Sequence, residues 1–349
     1  MTLNRLLLQH FRNLSTFDIT LDPSFHVISG KNGSGKTSIL EAIYHAAYHK
    51  SFRTSNNKLL IQNHGGGFHL HADILTHDQT PCIYKYHYQA NGQKSVLINE
   101  EKSKTTETAR LLPCVHMDTN THRLLAGQPK WRRDFLNFCA FYTLPDYAEN
   151  MARYNKVLAQ RNKLLKHMKQ LDTTQLGVWD QPLVFYGQRI FQARSELIAT
   201  LSEKVPLYAK DLLEHACNMR LNYHKALGKH HDFMDALHAT RMQDLAMGYT
   251  HVGPHRDDFS VMTPTGHCVF DVFSQGQLKR LAYCLKLTQL YLVLQHSQQK
   301  PLLLLDDISA ELDQHGQHGV LERMRETQAQ CVITSIDDNW PTRTAHMAL

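Results

Sequence analysis

The pattern of apolar and polar residues divides the chain into three stretches of different character. In residues 1–145, apolar side chains alternate with polar ones over 68–75 and 83–88, which is typical of half-exposed strands in an antiparallel sheet. The leucines at 6–8 predict a further strand, and the glycines at 65–67 are a turn signal. The first stretch is therefore predicted to be a β-rich lobe.

Residues 146–247 have helical periodicity instead. Apolar residues recur there every three to seven positions: Tyr147, Met151, Tyr154, Leu158, Leu165 and Met168. Strand signals nearly vanish, and Pro182, Pro206 and Gly228 are expected to break the helices into short pieces. We predict an inserted helical arm domain, too interrupted for a long coiled coil.

The α/β character returns in residues 248–349. Strands are predicted over 259–262, 302–305 and 332–334, and an amphipathic helix over 280–294. Because 302–305 is leucine throughout, that strand should be buried on both faces. The fold class is therefore α/β, with three segments bounded at 145/146 and 247/248.

The first lobe contains a match to a phosphate-binding loop. Residues 30–37 match G-x-x-x-x-G-K-[ST] and lie between a strand-like run at 25–29 and a helical pattern. The loop consists of Gly30, Lys31, Asn32, Gly33, Ser34, Gly35, Lys36 and Thr37. Lys36 can reach the β and γ phosphates of a nucleotide, and the Thr37 hydroxyl can join the shell of a Mg²⁺ ion. The alternative is a glycine-rich turn without a ligand, and the flanking strand and helix favour the nucleotide site.

An acidic pair follows the buried leucine strand. Ligands of open α/β sheets bind beyond the carboxyl ends of the strands, so Asp306 is placed to hold Mg²⁺ in a Walker B segment. Asp307 is placed to orient or activate the attacking water. The alternative is a buried strand that ends in an acidic turn. Most of the chain separates this pair from the loop, which predicts a nucleotide domain split into two lobes by an insertion.

A second helix terminus suited to phosphate precedes the acidic pair. It consists of Ser274, Gln275, Gly276 and Gln277. Ser274 can cap the helix, and Gly276 allows close approach of an anion to backbone N–H groups. One nucleotide cannot easily use both helix ends of the same domain, so we predict that this signature completes a nucleotide held by another subunit. The alternative is an ordinary capped helix. Residues 309–313 would lie at the same subunit junction.

Composition and charge limit the partners and the cellular location that the protein can have. The net charge of +6 is compatible with a polyanionic partner without proving one. No apolar run approaches membrane-spanning length and no signal core is present, so we expect no membrane partner and a cytoplasmic location. The seven cysteines form no C-x-x-C pair and are expected to be buried thiols, and the dispersed histidines favour solvated surface over metal ligands.

The order of motifs resembles the ABC-type ATPase heads of SMC and Rad50 proteins, and in finer detail the RecF family of bacterial recombination mediators. The runs that carry the RecF resemblance are Phe11-Arg12-Asn13-Leu14, Ser51-Phe52-Arg53-Thr54, Gln160-Arg161-Asn162-Lys163-Leu164-Leu165, Gly248-Tyr249-Thr250, Val252-Gly253-Pro254-His255-Arg256-Asp257-Asp258, the Ser274 signature and the Walker B run. They cover nearly the whole chain in the family's order. Two positions depart from related patterns: residues 115–120 replace a P-E-D-L-like run, and Asp307 stands where heads of this class often carry glutamate. The shorter side chain suits slow turnover.

The resemblance implies an ATP-gated DNA clamp that dimerises on ATP and Mg²⁺ and opens on slow hydrolysis. RecF-like proteins act at single-strand gaps with RecO and RecR, help to load RecA, and serve DNA repair, replication restart and the SOS response. DNA contact would be electrostatic and independent of sequence. Candidates for phosphate contact, each of which also suits solvated surface, are Arg53, Lys58, Lys130, Arg132, Arg133, Lys163 and Lys166. Trp131 and Tyr154 suit base stacking or core packing.

Three other classes compete with the clamp. A nuclease-coupled ATPase needs further metal-binding carboxylates, and the sequence indicates none outside the head. A transporter ATPase subunit fits poorly with the β-rich start, the helical insertion and the missing L-S-G-G-Q form. A Rad50-type tether needs long heptads and a C-x-x-C hook, and both are missing from the sequence.

Overall fold

The computed structural model describes residues 1–63, 65–168, 172–213, 219–307, 314–335 and 345–348. The chain forms two units: unit 1 comprises Met1–Thr121 and Lys279–Leu349, and unit 2 comprises His122–Leu278. Unit 1 thus joins the first and last parts of the sequence. The predicted residues 309–313 and Cys217 lie outside the described residues.

The strands are, in chain order, β1 (Thr2–Phe11), β2 (Leu14–Thr20), β3 (Phe25–Ser29), β4 (Gly67–Leu75), β5 (Pro81–Gln89), β6 (Lys94–Ile98), β7 (Glu101–Lys102), β8 (Cys114–Met117), β9 (Arg220–His224), β10 (Asp258–Met262), β11 (Leu302–Asp306), β12 (Gln330–Ser335) and β13 (Ala345–Ala348). The helices are α1 (Lys36–Tyr48), α2 (Thr105–Leu111), α3 (Arg123–Ala126), α4 (Pro129–Thr143), α5 (Tyr147–His167), α6 (Thr173–Leu212), α7 (Phe233–Met247), α8 (Val269–Val272), α9 (Gln275–His296) and α10 (Gln314–Thr327), with a 3₁₀ turn at Asn57–Leu60.

Unit 1 contains two sheets. Among the described residues, one is antiparallel with the order β2-β1-β4-β5-β6-β7, and the other is parallel with the order β13-β3-β12-β11-β8. Alternate residues of β1, β4 and β5 point into a core that also contains Ile39, Leu40 and Ile43 of α1. Leu302 and Leu304 of β11 belong to the same core. Helix α1 therefore packs against both sheets, and its N-terminus lies at the carboxyl end of β3.

The strand predictions for 6–8, 68–75, 83–88, 259–262, 302–305 and 332–334 are confirmed in β1, β4, β5, β10, β11 and β12. All four leucines of 302–305 are fully buried, because β11 lies between β12 and β8. The helix predicted over 280–294 is confirmed within α9, but its expected amphipathic character is wrong, since α9 is buried on most sides. Five cysteines are buried as expected: Cys82, Cys114, Cys139, Cys284 and Cys331.

Two expectations about the middle of the chain are wrong. Pro182 and Pro206 do not break the helical stretch, because both lie inside the 40-residue α6. A proline within a helix costs roughly 3 kcal/mol, and the buried face of α6 against α5 and α7 offsets that cost. Strands are also present in this stretch, since β9 pairs antiparallel with β10. With only Leu221 buried in β9, the period-two signal was too weak to detect.

The limits of the two units differ from the predicted boundaries at 145/146 and 247/248. Helix α4 packs against α5, α6 and β10, so contacts place it in unit 2 with the helices. The β9–β10 pair belongs to unit 2 for the same reason. Unit 1 resumes only inside α9, at Lys279.

Candidate nucleotide-binding site

The loop of residues 30–37 connects β3 to α1, as its sequence pattern predicts. Gly33 and Gly35 have φ values of 85° and 110°, which side-chain-bearing residues rarely adopt. A Cβ on Gly35 would lie 2.9 Å from Leu14 Cδ2 and 3.1 Å from Asn13 Nδ2. Glycine is therefore required at position 35 by both conformation and space, and the loop backbone remains accessible at the start of α1.

Asn13 fixes this loop from outside. Its Nδ2 donates to the Gly33 carbonyl at 3.3 Å, and its Oδ1 accepts from Ser38 Oγ at 3.0 Å. The neighbouring Arg12 binds the fully buried Glu41 of α1 through two hydrogen bonds of 2.9 and 2.6 Å. The run at 11–14 thus positions the loop and helix α1, a role that the sequence motif did not specify.

Two side chains of the loop are arranged to meet a ligand. Lys36 Nζ donates to the carbonyls of Gly30 and Lys31 at 2.5 and 3.0 Å, and an ammonium has a third donor. Ser34 Oγ is buried and has no hydrogen-bond partner among the described residues. The first N–H groups of α1 likewise lack partners within the helix. A phosphate group satisfies all of these donors, so the residues present fit a nucleoside triphosphate.

The Walker B pair lies beside the loop in unit 1. Thr37 Oγ1 donates to Asp306 Oδ1 at 3.0 Å, although 269 positions separate the two residues. Thr334, at the end of β12, donates to the same carboxylate oxygen at 2.7 Å, and its hydroxyl accepts from the Asp307 N–H at 3.1 Å. The buried Thr334 therefore links both acidic residues. Sequence reasoning assigned it only to a strand, although its place at the carboxyl end of a parallel strand was a usable signal.

Thr37 and Asp306 are suitable ligands for Mg²⁺. Two neighbouring ligands of an octahedral Mg²⁺ at ~2.0–2.1 Å lie roughly 2.9 Å apart, close to the 3.0 Å between these oxygens. In the described part of the chain, no three His, Cys, Asp or Glu side chains converge on one metal position. Mg²⁺ commonly takes one carboxylate together with phosphate oxygens and waters, so Thr37 and Asp306 would suffice as protein ligands for an ion that a nucleotide brings.

The electrostatics of Asp306 also suit a cation. Burial raises the pKa of its carboxyl, the hydrogen bonds from Thr334 and Thr37 oppose that effect, and the charges of Asp118 and Asp307 raise the pKa further. Asp118 follows β8, which pairs with β11 in parallel, so both carboxyl groups lie at the same sheet edge. Asp118 comes from the 115–120 segment to which the sequence assigned no role.

The signature lies in unit 2, where Ser274 caps α9 as expected. Gln277 N–H donates to Ser274 Oγ at 3.3 Å, and Ser274 N–H donates to Gln277 Oε1 at 2.8 Å. Ser274, Gln275 and Gly276 are exposed, and a Cβ on Gly276 would meet only Ser274 Oγ, at 4.0 Å. The helix end is thus formed and open, and its proposed trans role stays a prediction.

Two buried arginines in unit 2 bind residues of the remaining runs that resemble RecF. Arg161 donates to Asp180 at 2.8 Å and to Asp244 at 2.7 Å, and it also bonds the Thr250 hydroxyl at 2.8 Å. Arg194 donates to Asp257 at 2.5 Å and to the Pro254 carbonyl at 2.7 Å. The runs at 160–165 and 248–258 therefore meet in buried ion-pair networks that hold unit 2 together.

The candidate DNA contacts differ in their availability. Arg132 makes two hydrogen bonds to Asp258, at 2.6 and 2.9 Å, and Arg53 lies 3.7 Å from Glu41. Arg133 donates to the Asp257 carbonyl at 2.9 Å. Tyr154 is fully buried, so of its two expected roles it has core packing and not base stacking. The exposed candidates are Arg53, Lys58, Lys130, Trp131, Lys163 and Lys166, of which Arg53 lies beside the buried Glu41.

Comparisons with known proteins identify the family of this chain. The family model described as RecF/RecN/SMC N terminal domain matches residues 2–348. The DNA replication and repair protein RecF of Haemophilus ducreyi is 35% identical over 340 residues, covering 96% of this chain and 92% of that protein. The RecF of Vibrio vulnificus is 31% identical over 343 residues, covering 97% and 94%. The chain belongs to the RecF family.

Solved structures support the same assignment. The recombination mediator protein RecF with ATP, from the RecFOR pathway, superposes with a TM-score of 0.88 at 27% identity, covering 97% of this chain and 92% of that one. The SMC head domain of Pyrococcus furiosus gives a TM-score of 0.54 at 14% identity, which shows the fold alone. The RecF-family chain therefore has the predicted ABC-type ATPase head with an inserted helical arm. Among its described residues, no helix combines the length and apolarity that crossing a membrane requires.

Proposed function

We propose that this RecF-family protein is an ATP-dependent DNA-binding clamp. The observation that supports the proposal best is the contact between Thr37 of the loop and Asp306 of the Walker B strand, which assembles a nucleotide site from the two ends of the chain. Relatives that share about a third of its residues are named DNA replication and repair protein RecF. Both point to a nucleotide-controlled protein of DNA repair.

Each residue of the site has a chemical role in this proposal. Lys36 and the N–H groups of the loop bind the β and γ phosphates, and Thr37 and Asp306 hold Mg²⁺, which neutralises phosphate charge when bound. Asp307 orients the attacking water. Its side chain is shorter than glutamate, so hydrolysis is slow and acts as a timer for the clamp.

The active form is an ATP-dependent homodimer. The loop and Asp306 belong to unit 1, while the exposed Ser274 helix end begins in unit 2. A second copy offers that helix end to the γ-phosphate, where its dipole and free N–H groups stabilise negative charge. Two copies are then arranged head to tail with two nucleotides between them. Hydrolysis separates the two copies.

The proposed site of action is the single-strand gap in damaged DNA or in DNA whose replication has stalled. The solved RecF-ATP protein is described as a recombination mediator of the RecFOR pathway. By this relationship the clamp works with RecO and RecR in the cytoplasm, helps to load RecA, and serves replication restart and the SOS response. DNA is held through its phosphates without sequence preference.

A mixing experiment tests the shared site. Lys36→Ala disables the loop but keeps the signature, and Ser274→Arg does the reverse. Each variant alone should remain monomeric with ATP, while an equimolar mixture should form dimers, because one complete site arises from the two copies. Sedimentation velocity measures the dimer fraction. A mixture that stays monomeric under conditions where the wild type dimerises contradicts the shared site.

A further inference from the structure

The run at 248–258 contains one exposed residue, Arg256, that the buried networks do not explain. The Arg256 guanidinium carbon lies 5.1 Å from the centroid of the Tyr249 ring. The same ring lies against His251 in a tilted arrangement, with 4.3 Å between the ring centroids and 31° between the ring planes. His251 Nδ1 in turn bonds the buried Asp244 at 2.8 Å. Arg256 is thus an exposed cation whose position is set by a stack anchored in the core of unit 2.

In the described part of the chain Arg256 has no acidic partner, although two aspartates follow it in sequence. Asp257 is buried with Arg194, and Asp258 binds Arg132 through both carboxylate oxygens. Among the described residues, the Arg256 side chain makes no ion pair or hydrogen bond, and its guanidinium lies over the Tyr249 ring. All five guanidinium N–H donors therefore remain available to a ligand.

Two further positive charges lie against the same run of residues, Arg133 at Asp257 and Lys166 at Gly248. Arg133 donates to the carbonyl of Asp257 and has no ion-pair partner among the described residues. Lys166 is exposed and passes Gly248, where an added Cβ would lie 3.3 Å from Lys166 Cγ. Burial lowers the pKa of the adjacent His255 to about 4, and the charges of Arg256, Arg133 and Arg161 act in the same direction. The local field is positive.

We propose that Arg256, held by Tyr249 and assisted by Lys166, binds the phosphodiester backbone of DNA. A planar guanidinium with free donors matches the paired oxygens of a phosphate, and stacking on Tyr249 reduces the entropy lost on binding. The inference rests on the proposed function and deepens it, because it names a DNA contact in unit 2. The acidic neighbours Asp257 and Asp258 hide this contact in the sequence.

Fluorescence anisotropy with a labelled gapped duplex, full-length protein and ATP at several salt concentrations tests the site. Arg256→Ala and Arg256→Gln should weaken DNA binding by about 5- to 20-fold and reduce the slope of log affinity against log salt by about 1, since one phosphate contact is lost. Tyr249→Ala should weaken binding by about 3- to 10-fold, while Tyr249→Phe should stay within about twofold, because the ring is kept.

Arg153→Ala is the matched control. Arg153 lies 5.8 Å from the Tyr186 ring centroid, but Glu149 neutralises it at 2.5 Å, so this variant should keep wild-type affinity. Wild-type affinity and salt slope in both Arg256 variants would overturn the inference alone, whereas absence of DNA binding by the wild type would overturn the proposed function as well. Displacement of DNA by polyglutamate as effectively as by unlabelled DNA would assign the surface to an acidic protein segment and also overturn the inference.

Discussion

Acid should open unit 1 through His45, a histidine buried in the core on the helix that follows the nucleotide loop. His45 lies in α1, is fully buried, and has no hydrogen-bond partner for either ring nitrogen among the described residues. Its ring packs against Phe68 and Tyr86, at centroid distances of 5.4 and 4.7 Å. Burial lowers the pKa of His45 to about 3, and the charges of His49 and Lys94 act in the same direction.

The pKa difference gives the size of the effect. In the unfolded chain a histidine has a pKa near 6.5, so below that pH the unfolded state binds a proton that the folded state refuses. Titration of His45 therefore leaves the free energy of unfolding unchanged above about pH 6.5. It lowers that free energy progressively as the pH falls toward 3. At pH 5 the loss amounts to roughly 2 kcal/mol relative to pH 7.5.

His45→Phe removes the titrating group while keeping an aromatic ring in place. At pH 7.5 the loss of two unpartnered nitrogens and the tighter fit of phenylalanine oppose each other. Between pH 7.5 and pH 5.0, however, the variant should gain roughly 2 kcal/mol of opening free energy relative to the wild type. Hydrogen exchange of α1 and β4 peptides, corrected for intrinsic rates, measures this local free energy.

Phe68→Leu is the control, because it loosens the same aromatic cluster without changing a titrating group. Its difference from the wild type should be the same at both pH values. If His45→Phe also showed no pH dependence relative to the wild type, the neutral buried imidazole would be excluded as a source of acid sensitivity.

Four further predictions concern the nucleotide site. Lys36→Ala should lower ATP affinity at least about 10-fold by equilibrium dialysis, since its contact with the phosphates is lost, and unchanged binding contradicts that role. Ser274→Arg should leave ATP binding by the monomer intact while preventing dimerisation in sedimentation, and a loss of monomer binding argues against a trans role. Asp307→Asn should slow hydrolysis about 100-fold and prolong the closed dimer, and undiminished turnover excludes Asp307 as the residue that activates water. Thr334→Val should cost about 1–3 kcal/mol of thermal stability and weaken Mg²⁺-dependent ATP binding, because Asp306 and the Asp307 N–H lose a shared partner, and wild-type behaviour in both assays refutes this link.

The sequence predicted the parts of this protein that depend on short-range patterns. Strict alternation identified β4 and β5, and the uninterrupted leucines identified β11 as a fully buried strand. The loop spacing located the turn between β3 and α1, and the acidic pair located the end of β11 that Thr37 contacts. Each of these signals is contained within ten residues of chain.

What the sequence missed depends on contacts between distant segments. Pro182 and Pro206 are tolerated because α6 is packed on α5 and α7, which no local rule includes. Asn13 and Thr334 contribute to the site through hydrogen bonds to Gly33 and Asp306, which lie far from them in sequence. Arg256 looks neutralised by Asp257 and Asp258 until the structure shows that these pair with Arg194 and Arg132 instead. Burial and pairing, rather than residue type, decide each of these roles.

The central claim is that ATP closes two copies of this chain on DNA. Sedimentation velocity of the wild-type protein, with and without ATP and with and without a gapped duplex, tests it most directly. The account predicts a monomer without nucleotide, a dimer with ATP, and a larger dimer fraction when ATP and the gapped duplex are both present. A monomer under all four conditions, or a dimer that forms equally well without ATP, contradicts it.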